Sequence, residues 1–201
     1  MSLFYRFAQL VSWLFFKTFH RLEVHGLYNI PKSGAFILAS NHTSYFDPPA
    51  LGCKIPRNLH YFARDSLFFW PLGLLIRKLN SIPVNRSQLD LSTLRSVLKI
   101  LEAKEPLLVF PEGTRSITGN IGDGKKGIGL LLAKSQVDVL PARVIGGNNV
   151  LGKGMLVPRI GRKLVVKYGQ LLRIDDLDPG KSDPNRYETI ANRVLSEIKK
   201  I

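Results

Sequence analysis

In the segment Asn41-His42-Thr43-Ser44-Tyr45-Phe46-Asp47 a histidine precedes an aspartate by five positions. On an ideal helix that spacing sets the two about 140° apart, so they can meet only across a turn. Asp47 stands before Pro48-Pro49, which suits the cap of a short helix with proline at its first position and leaves residues 43–46 to turn back toward His42. In that geometry Asp47 accepts a hydrogen bond from one imidazole nitrogen and fixes the tautomer, and the other nitrogen is left to take a proton. Each residue alone has an ordinary use, as a helix cap or a satisfied structural histidine. The pair gains weight from its company. Arg86 and Arg115 offer guanidinium forks that match phosphate, Glu112 offers an acceptor for a hydroxyl, and Gly113 would let the backbone approach a ligand.

Such groups need a scaffold that holds them at one place. Apolar runs suited to buried strands occur at Ala35-Ala39, His60-Ala63, Ile82-Val84, Leu107-Phe110, Val139-Val144 and Leu164-Tyr168. Between them Leu91, Leu94, Leu98 and Leu101 repeat at helical spacing, as do Tyr187, Ile190, Ala191, Val194, Leu195 and Ile198 after an Asp183-Pro184 start. Strands alternating with helices predict an α/β fold with a mixed, largely parallel central sheet flanked by helices. In such folds ligands bind at the carboxyl ends of strands. Asn41-His42, Asn85-Arg86 and Pro111–Arg115 each follow a predicted strand.

The chain has 201 residues, 45% of them apolar, and a formal charge of +14, which describes one basic domain able to bury a substantial core and points to an anionic partner. One cysteine, Cys53, excludes an internal disulfide, and the four scattered histidines lack zinc-ligand spacing. Basic residues are spread along the chain, with no helix-turn-helix and no exposed aromatics interleaved with bases, so nucleic acid is not the expected partner. Gly119–Lys126 nearly matches a phosphate-binding P-loop, but Lys126 stands where Ser or Thr should hold Mg²⁺. Gly124 and Gly127 are expected to open the helix that contains Ile128–Leu132.

Residues 1–20 form a distinct segment. The uncharged run Phe7–Phe16 covers roughly 15 Å as a helix, about half a hydrocarbon core. Ser2, Arg6, Gln9, Lys17 and His20 fall on one arc, opposite a wide face of Leu3, Phe4, Phe7, Leu10, Val11, Leu14, Phe15 and Phe19. The expectation is an amphipathic helix lying in a membrane interface (residues 1–20) ahead of a catalytic domain (21–201), and an ordinary first helix packed on the core is the competing use. The stretch Leu67-Phe68-Phe69-Trp70-Pro71-Leu72 is a candidate wall for an apolar channel, with core packing its more ordinary role.

Together these blocks resemble the glycerophospholipid acyltransferases of the PlsC type. NHTSYFD (41–47) is similar to the family's NHxxxxD block, IPVNR (82–86) to its second block, FPEGTRS (110–116) to its third and VLPARV (139–144) to its fourth. The resemblance implies that His42 is a general base oriented by Asp47, that Arg86, Glu112, Gly113, Thr114 and Arg115 bind the substrate, and that Pro141 shapes the site. It implies transfer of an acyl group from acyl-CoA or acyl carrier protein, as co-substrate, to the sn-2 hydroxyl of 1-acylglycerol 3-phosphate (lysophosphatidic acid), giving phosphatidic acid. It calls for no metal or other cofactor and places the protein on the cytoplasmic face of the inner membrane, against an anionic lipid surface. Another acceptor, such as glycerol 3-phosphate, and a noncatalytic membrane binder are the alternatives. Neither Cys53 nor a serine sits in a nucleophile elbow, so direct transfer is expected, with Ser44 left open as a nucleophile.

Overall fold

Buried strands in this chain are short apolar runs because both faces of the sheet are covered. The computed structural model describes residues 2–84 and 91–201. In chain order the elements are α1 (Leu3–His20), β1 (Glu23–His25), β2 (Ile37–Ser40), α2 (Asp47–Gly52), β3 (His60–Arg64), α3 (Leu72–Lys78), β4 (Ser81–Val84), α4 (Leu91–Glu102) and β5 (Leu107–Val109). Then follow α5 (Lys126–Ser135), β6 (Val139–Ile145), α6 (Gly147–Leu151), β7 (Val165–Tyr168), α7 (Ile174–Leu177) and α8 (Arg186–Lys200). The seven strands lie in the order β1-β7-β6-β2-β5-β3-β4. Every pairing is parallel except β6 with β7, which makes the sheet mixed and largely parallel as expected.

Alternation along the strands divides the core in two. Leu38, Leu108 and Leu140 face a layer that includes Phe16 of α1 and Leu51 of α2. Ile37, Leu107, Val109 and Val139 face α4, α5 and α8 through Val97, Leu131, Leu132, Ile190 and Val194. All six expected strands shift slightly at their ends: β2 begins at Ile37 instead of Ala35 and runs to Ser40, β5 ends before Phe110, β3 and β6 run on to Arg64 and Ile145, and β4 and β7 begin at Ser81 and Val165. β1, α3, α6 and α7 were not anticipated; they are three to seven residues long, too short to show a period. Asn85 and Arg86 lie outside the described residues.

The near-P-loop glycines serve packing. A Cβ on Gly124 would stand 2.5 Å from Ala191 Cβ, and one on Gly129 would stand 1.7 Å from the Tyr187 carbonyl oxygen, so α5 reaches α8 through bare Cα atoms.

Helix α1 docks on the domain through Tyr5, Gln9, Phe16 and His20, while Ser2, Arg6 and Lys17 of the expected polar arc stay exposed. Gln9 Nε2 donates to the carbonyls of Gly52 (2.8 Å) and Ile55 (2.7 Å), His20 is buried, and the Tyr5 and Tyr61 hydroxyls share a 2.8 Å hydrogen bond. Leu3, Phe7, Leu10, Val11 and Leu14 remain exposed on the other side. The segment 67–72 does not pack in the core: Trp70 is 81% exposed and Phe69 is exposed beside it.

Gly129→Ala is expected to destabilise the fold by about 1–3 kcal/mol, because backbone must move to admit the methyl. A denaturant titration that places the variant's midpoint at the wild-type value would refute this close approach.

Candidate active site

The parallel pairing of β2, β5 and β6 sends the loops that follow each of them to one edge of the sheet. His42 therefore meets residues from the third and fourth sequence blocks. As β2 ends, the Asn41 side chain replaces a strand partner: its Nδ2 donates to the Val144 carbonyl (2.9 Å) and its Oδ1 accepts from the Val144 N–H (2.7 Å). The next residue is clamped on both sides. The His42 N–H donates to Glu112 Oε1 (2.9 Å), and its carbonyl accepts from the Ser116 N–H (2.7 Å).

The His42 ring has two further constraints. Phe110 stacks on it with centroids 3.9 Å apart and planes 13° from parallel, and Nδ1 lies 2.9 Å from Asp47 Oδ2. Asp47 is acceptor-only when ionised, so the bond requires the Nδ1–H tautomer and leaves Nε2 with a free lone pair. The same Oδ2 accepts from the Thr43 N–H (2.6 Å) and the Ser44 N–H (2.8 Å).

Asp47 does not cap α2 in the expected way. It occupies the first helical position, after Phe46. A capping carboxylate bonds N–H groups two or three residues on, but Pro49 has none to give and the Ala50 N–H is spent on the Phe46 carbonyl (3.0 Å). The carboxylate turns back to the N–H groups behind it, which brings it to His42.

One glycine makes room for this turn. Asp47 Oδ1 and Thr43 Oγ1 are buried without hydrogen-bond partners, and a Cβ on Gly147 would lie 2.7 Å from the first and 2.5 Å from the second. Only a hydrogen fits there. Gly147 follows the fourth block, and sequence reading passed it over; the Gly146-Gly147 pair directly after β6 was the available signal.

The dyad opens on a cavity of about 800 Å³. Its wall includes His42, Tyr45, Phe110, Gly113, Thr114 and Arg115 from the motif loops, Tyr5, Ala8, Gln9 and Ser12 from α1, and Leu67, Ile76 and Leu79 from the α3 region. Gly113 turns with φ +64°, and its bare Cα lies under the Lys125 stem, since a Cβ there would be 3.1 Å from Lys125 Cγ. Arg115 stacks over the Tyr45 ring at 3.4 Å from its centroid, with Nη1 buried and unpartnered. Lys125 and Lys126 also line the cavity and were not among the expected site residues.

Three expectations change. Glu112 is buried outside the cavity wall and spends both oxygens on backbone, Oε1 on His42 and Oε2 on the Gly122 N–H (3.0 Å), so it braces the two loops in place of receiving a hydroxyl. Pro141 sits within β6, opposite Ala39, and does not reach the cavity. Ser44 is buried, donates to the Leu151 carbonyl (2.8 Å) and accepts from the Phe46 N–H (3.0 Å), which closes its use as a nucleophile. Cys53 lines the cavity, but burial pushes its thiol up to about 11, so little thiolate exists near neutrality.

The arrangement is an oriented imidazole facing an apolar cavity at one edge of the sheet. The chain belongs to the acyltransferase family, whose family model matches residues 21–145, more than half of the chain. It is 29% identical over 149 residues to the 1-acyl-sn-glycerol-3-phosphate acyltransferase of Bacillus subtilis, covering 71% of this chain and 73% of that protein. It is 29% identical over 142 residues to the chloroplastic 1-acyl-sn-glycerol-3-phosphate acyltransferase LPAT1 of Arabidopsis thaliana, a match that spans 68% of this chain but only 39% of the longer plant protein. The crystal structure of the 1-acyl-sn-glycerophosphate acyltransferase PlsC from Thermotoga maritima superposes with a TM-score of 0.76 at 26% identity, covering 98% of this chain and 80% of that one.

Gly147→Ala should act through Asp47. The expected outcome is a kcat lower by about 10²-fold with KM unchanged, as for a misplacement of the base by roughly 1 Å. In an Asp47→Ala background the same change should cost almost nothing more, and equal losses in both backgrounds would show that Gly147 acts elsewhere.

Proposed function

We propose that this protein transfers an acyl group from an acyl thioester to the sn-2 hydroxyl of 1-acylglycerol 3-phosphate, yielding phosphatidic acid. The observation that carries the reading is the free Nε2 of His42 in a cavity that also holds the unpartnered Arg115 guanidinium. The named activity of the Bacillus and Thermotoga relatives supports the choice of acceptor.

In the proposed mechanism His42 Nε2 takes the hydroxyl proton as the acceptor oxygen attacks the thioester carbonyl. A positioned base of this kind supplies about 10² to 10⁴ in rate. Asp47 stays ionised and stabilises the imidazolium. The carbon–sulfur bond then breaks, and the imidazolium returns its proton to the departing thiolate. No protein nucleophile enters. Arg115 and Arg86 hold the phosphate, Gly113 and Thr114 line its approach, and the apolar cavity takes an acyl chain. The thioester is acyl-CoA or acyl carrier protein, both acidic and both suited to a chain of charge +14.

The acceptor is a lipid, and the reading extends to a membrane. Helix α1 buries its Gln9 side and exposes Leu3, Phe7, Leu10 and Leu14 while its inner side lines the cavity. Among the described residues no helix is long and apolar enough to cross a bilayer. An interfacial helix on the cytoplasmic face of the inner membrane accounts for the arrangement.

Thiol release from palmitoyl-CoA should require lysophosphatidic acid and fall at least about 10²-fold in a folded His42→Ala variant. Arg115→Ala should mainly raise KM for lysophosphatidic acid, by about 10- to 100-fold, the worth of a hydrogen bond to a charged group. Release with glycerol 3-phosphate instead would reassign the acceptor, and full activity of His42→Ala would remove the mechanism.

A further inference from the structure

We infer that the loop of residues 153–163 is a second membrane contact, docking on an anionic lipid surface beside α1; this rests on the reading of α1 as a lipid-facing helix. Three observations carry it. The first is exposure of apolar side chains: Leu156 is 97% exposed, Val157 72% and Ile160 69%. These lie in one short loop whose backbone is fixed at both ends, Arg159 N–H donating to the Val150 carbonyl (2.8 Å) and Leu164 N–H to the His20 carbonyl (3.0 Å). Solvent alone gives no reason to hold such side chains outward.

The second is position. β6 runs parallel to β2, and β7 returns antiparallel to β6, so the chain between them lies at the same sheet edge as His42 and the PEGTR loop. The Gly161 N–H donates to the Phe19 carbonyl (2.8 Å), which ties the loop to the last turn of α1. The loop therefore shares an edge with the site loops and adjoins the carboxyl-terminal end of the lipid-facing helix.

The third is charge. No acidic residue occurs between Asp138 and Asp175, while Lys153, Arg159, Arg162 and Lys163 flank the apolar tip. Lys163 pairs with Glu23 (2.7 Å); among the described residues no ion pair engages the other three. Apolar side chains ringed by unpaired cations match the boundary between acyl chains and anionic head groups. Contact at both α1 and this loop fixes rotation about the helix axis and sets the site edge against the lipid.

The test places an environment-sensitive NBD label on Leu156→Cys, Leu10→Cys or Lys181→Cys in the full chain carrying Cys53→Ala, because native Cys53 lines the cavity. Lys181 follows β7 and lies toward the opposite edge. With phosphatidylglycerol-containing vesicles, labels at 10 and 156 should brighten and be quenched by doxyl lipids, and the label at 181 should not respond. Lys153→Gln/Arg159→Gln/Arg162→Gln should weaken vesicle binding roughly fivefold per residue. A response at 10 with 156 still in water overturns the loop contact and leaves the α1 reading standing. Silence at both positions overturns both, and brightening at all three means unspecific adsorption and overturns the loop contact. None of these readouts depends on acyl transfer, so a wrong acceptor assignment leaves them unaffected.

Discussion

The buried carboxylate of Asp47 is the constraint around which the site is built. A fully buried anion forfeits several kcal/mol of hydration. Its Oδ2 recovers this through three N–H donors, each charge-assisted bond contributing about 1.5–3 kcal/mol. The donors belong to the consecutive residues His42, Thr43 and Ser44, so the carboxylate dictates the path of the loop as well as the pose of the imidazole. Pro48 and Pro49 offer it no N–H ahead, Ala50 gives its own to Phe46, and Gly147 leaves it space behind. Asn41 on Val144 and Ser44 on Leu151 then pin the ends of the turn to the β6–α6 segment. The imidazole is thus oriented before any substrate arrives, and on the proposed reading that is where most of the advantage of a positioned catalytic group lies.

Much of this was legible because the information is local. A five-residue spacing and a proline pair define the turn between His42 and Asp47, and apolar runs with loops after them define a parallel sheet with its site at one edge. Glu112 was legible as a site residue but not in its role. Its partners, the amides of His42 and Gly122, stand 70 and 10 residues away, and a carboxylate in sequence carries no mark of whether it meets backbone or ligand. Gly147 was silent for a related reason: its contribution is a missing Cβ, and what that Cβ would strike lies in residues 43–47. In Gly119–Lys126 the glycines drew attention to a phosphate loop, whereas Gly124 serves the packing of α8 and Lys125 and Lys126 are the residues that reach the cavity.

Helix α1 shows what periodicity leaves open. Its pattern marks two faces but not which of them is inside. The inward side is Tyr5, Gln9, Phe16 and His20, with Gln9 donating to the carbonyls of Gly52 and Ile55 near the end of α2, while Arg6 and Lys17 of the polar arc stay exposed. Leu3, Phe7, Leu10, Val11 and Leu14 of the wide apolar face turn outward, where a helix that covers a core from water would bury them. That uncovered apolar face is the physical reason to look for a nonaqueous neighbour, and it distinguishes this helix from α8, whose Ile190, Val194 and Ile198 face inward in the ordinary way.

Helix α1 also links the scaffold to the chemistry. One side of α1 lines the cavity through Tyr5, Ala8, Gln9 and Ser12, and the other side is apolar and uncovered. On the proposed reading a single layer of helix separates the base from the lipid phase that stores its acceptor. An acceptor anchored by its acyl chain needs to lift only its head group to reach Nε2, with Arg115 waiting for the phosphate, while the thioester is water-soluble. The two substrates have opposite solubility, and a rigid dyad at a sheet edge beside an outward-facing apolar helix is an arrangement that lets both reach one nitrogen.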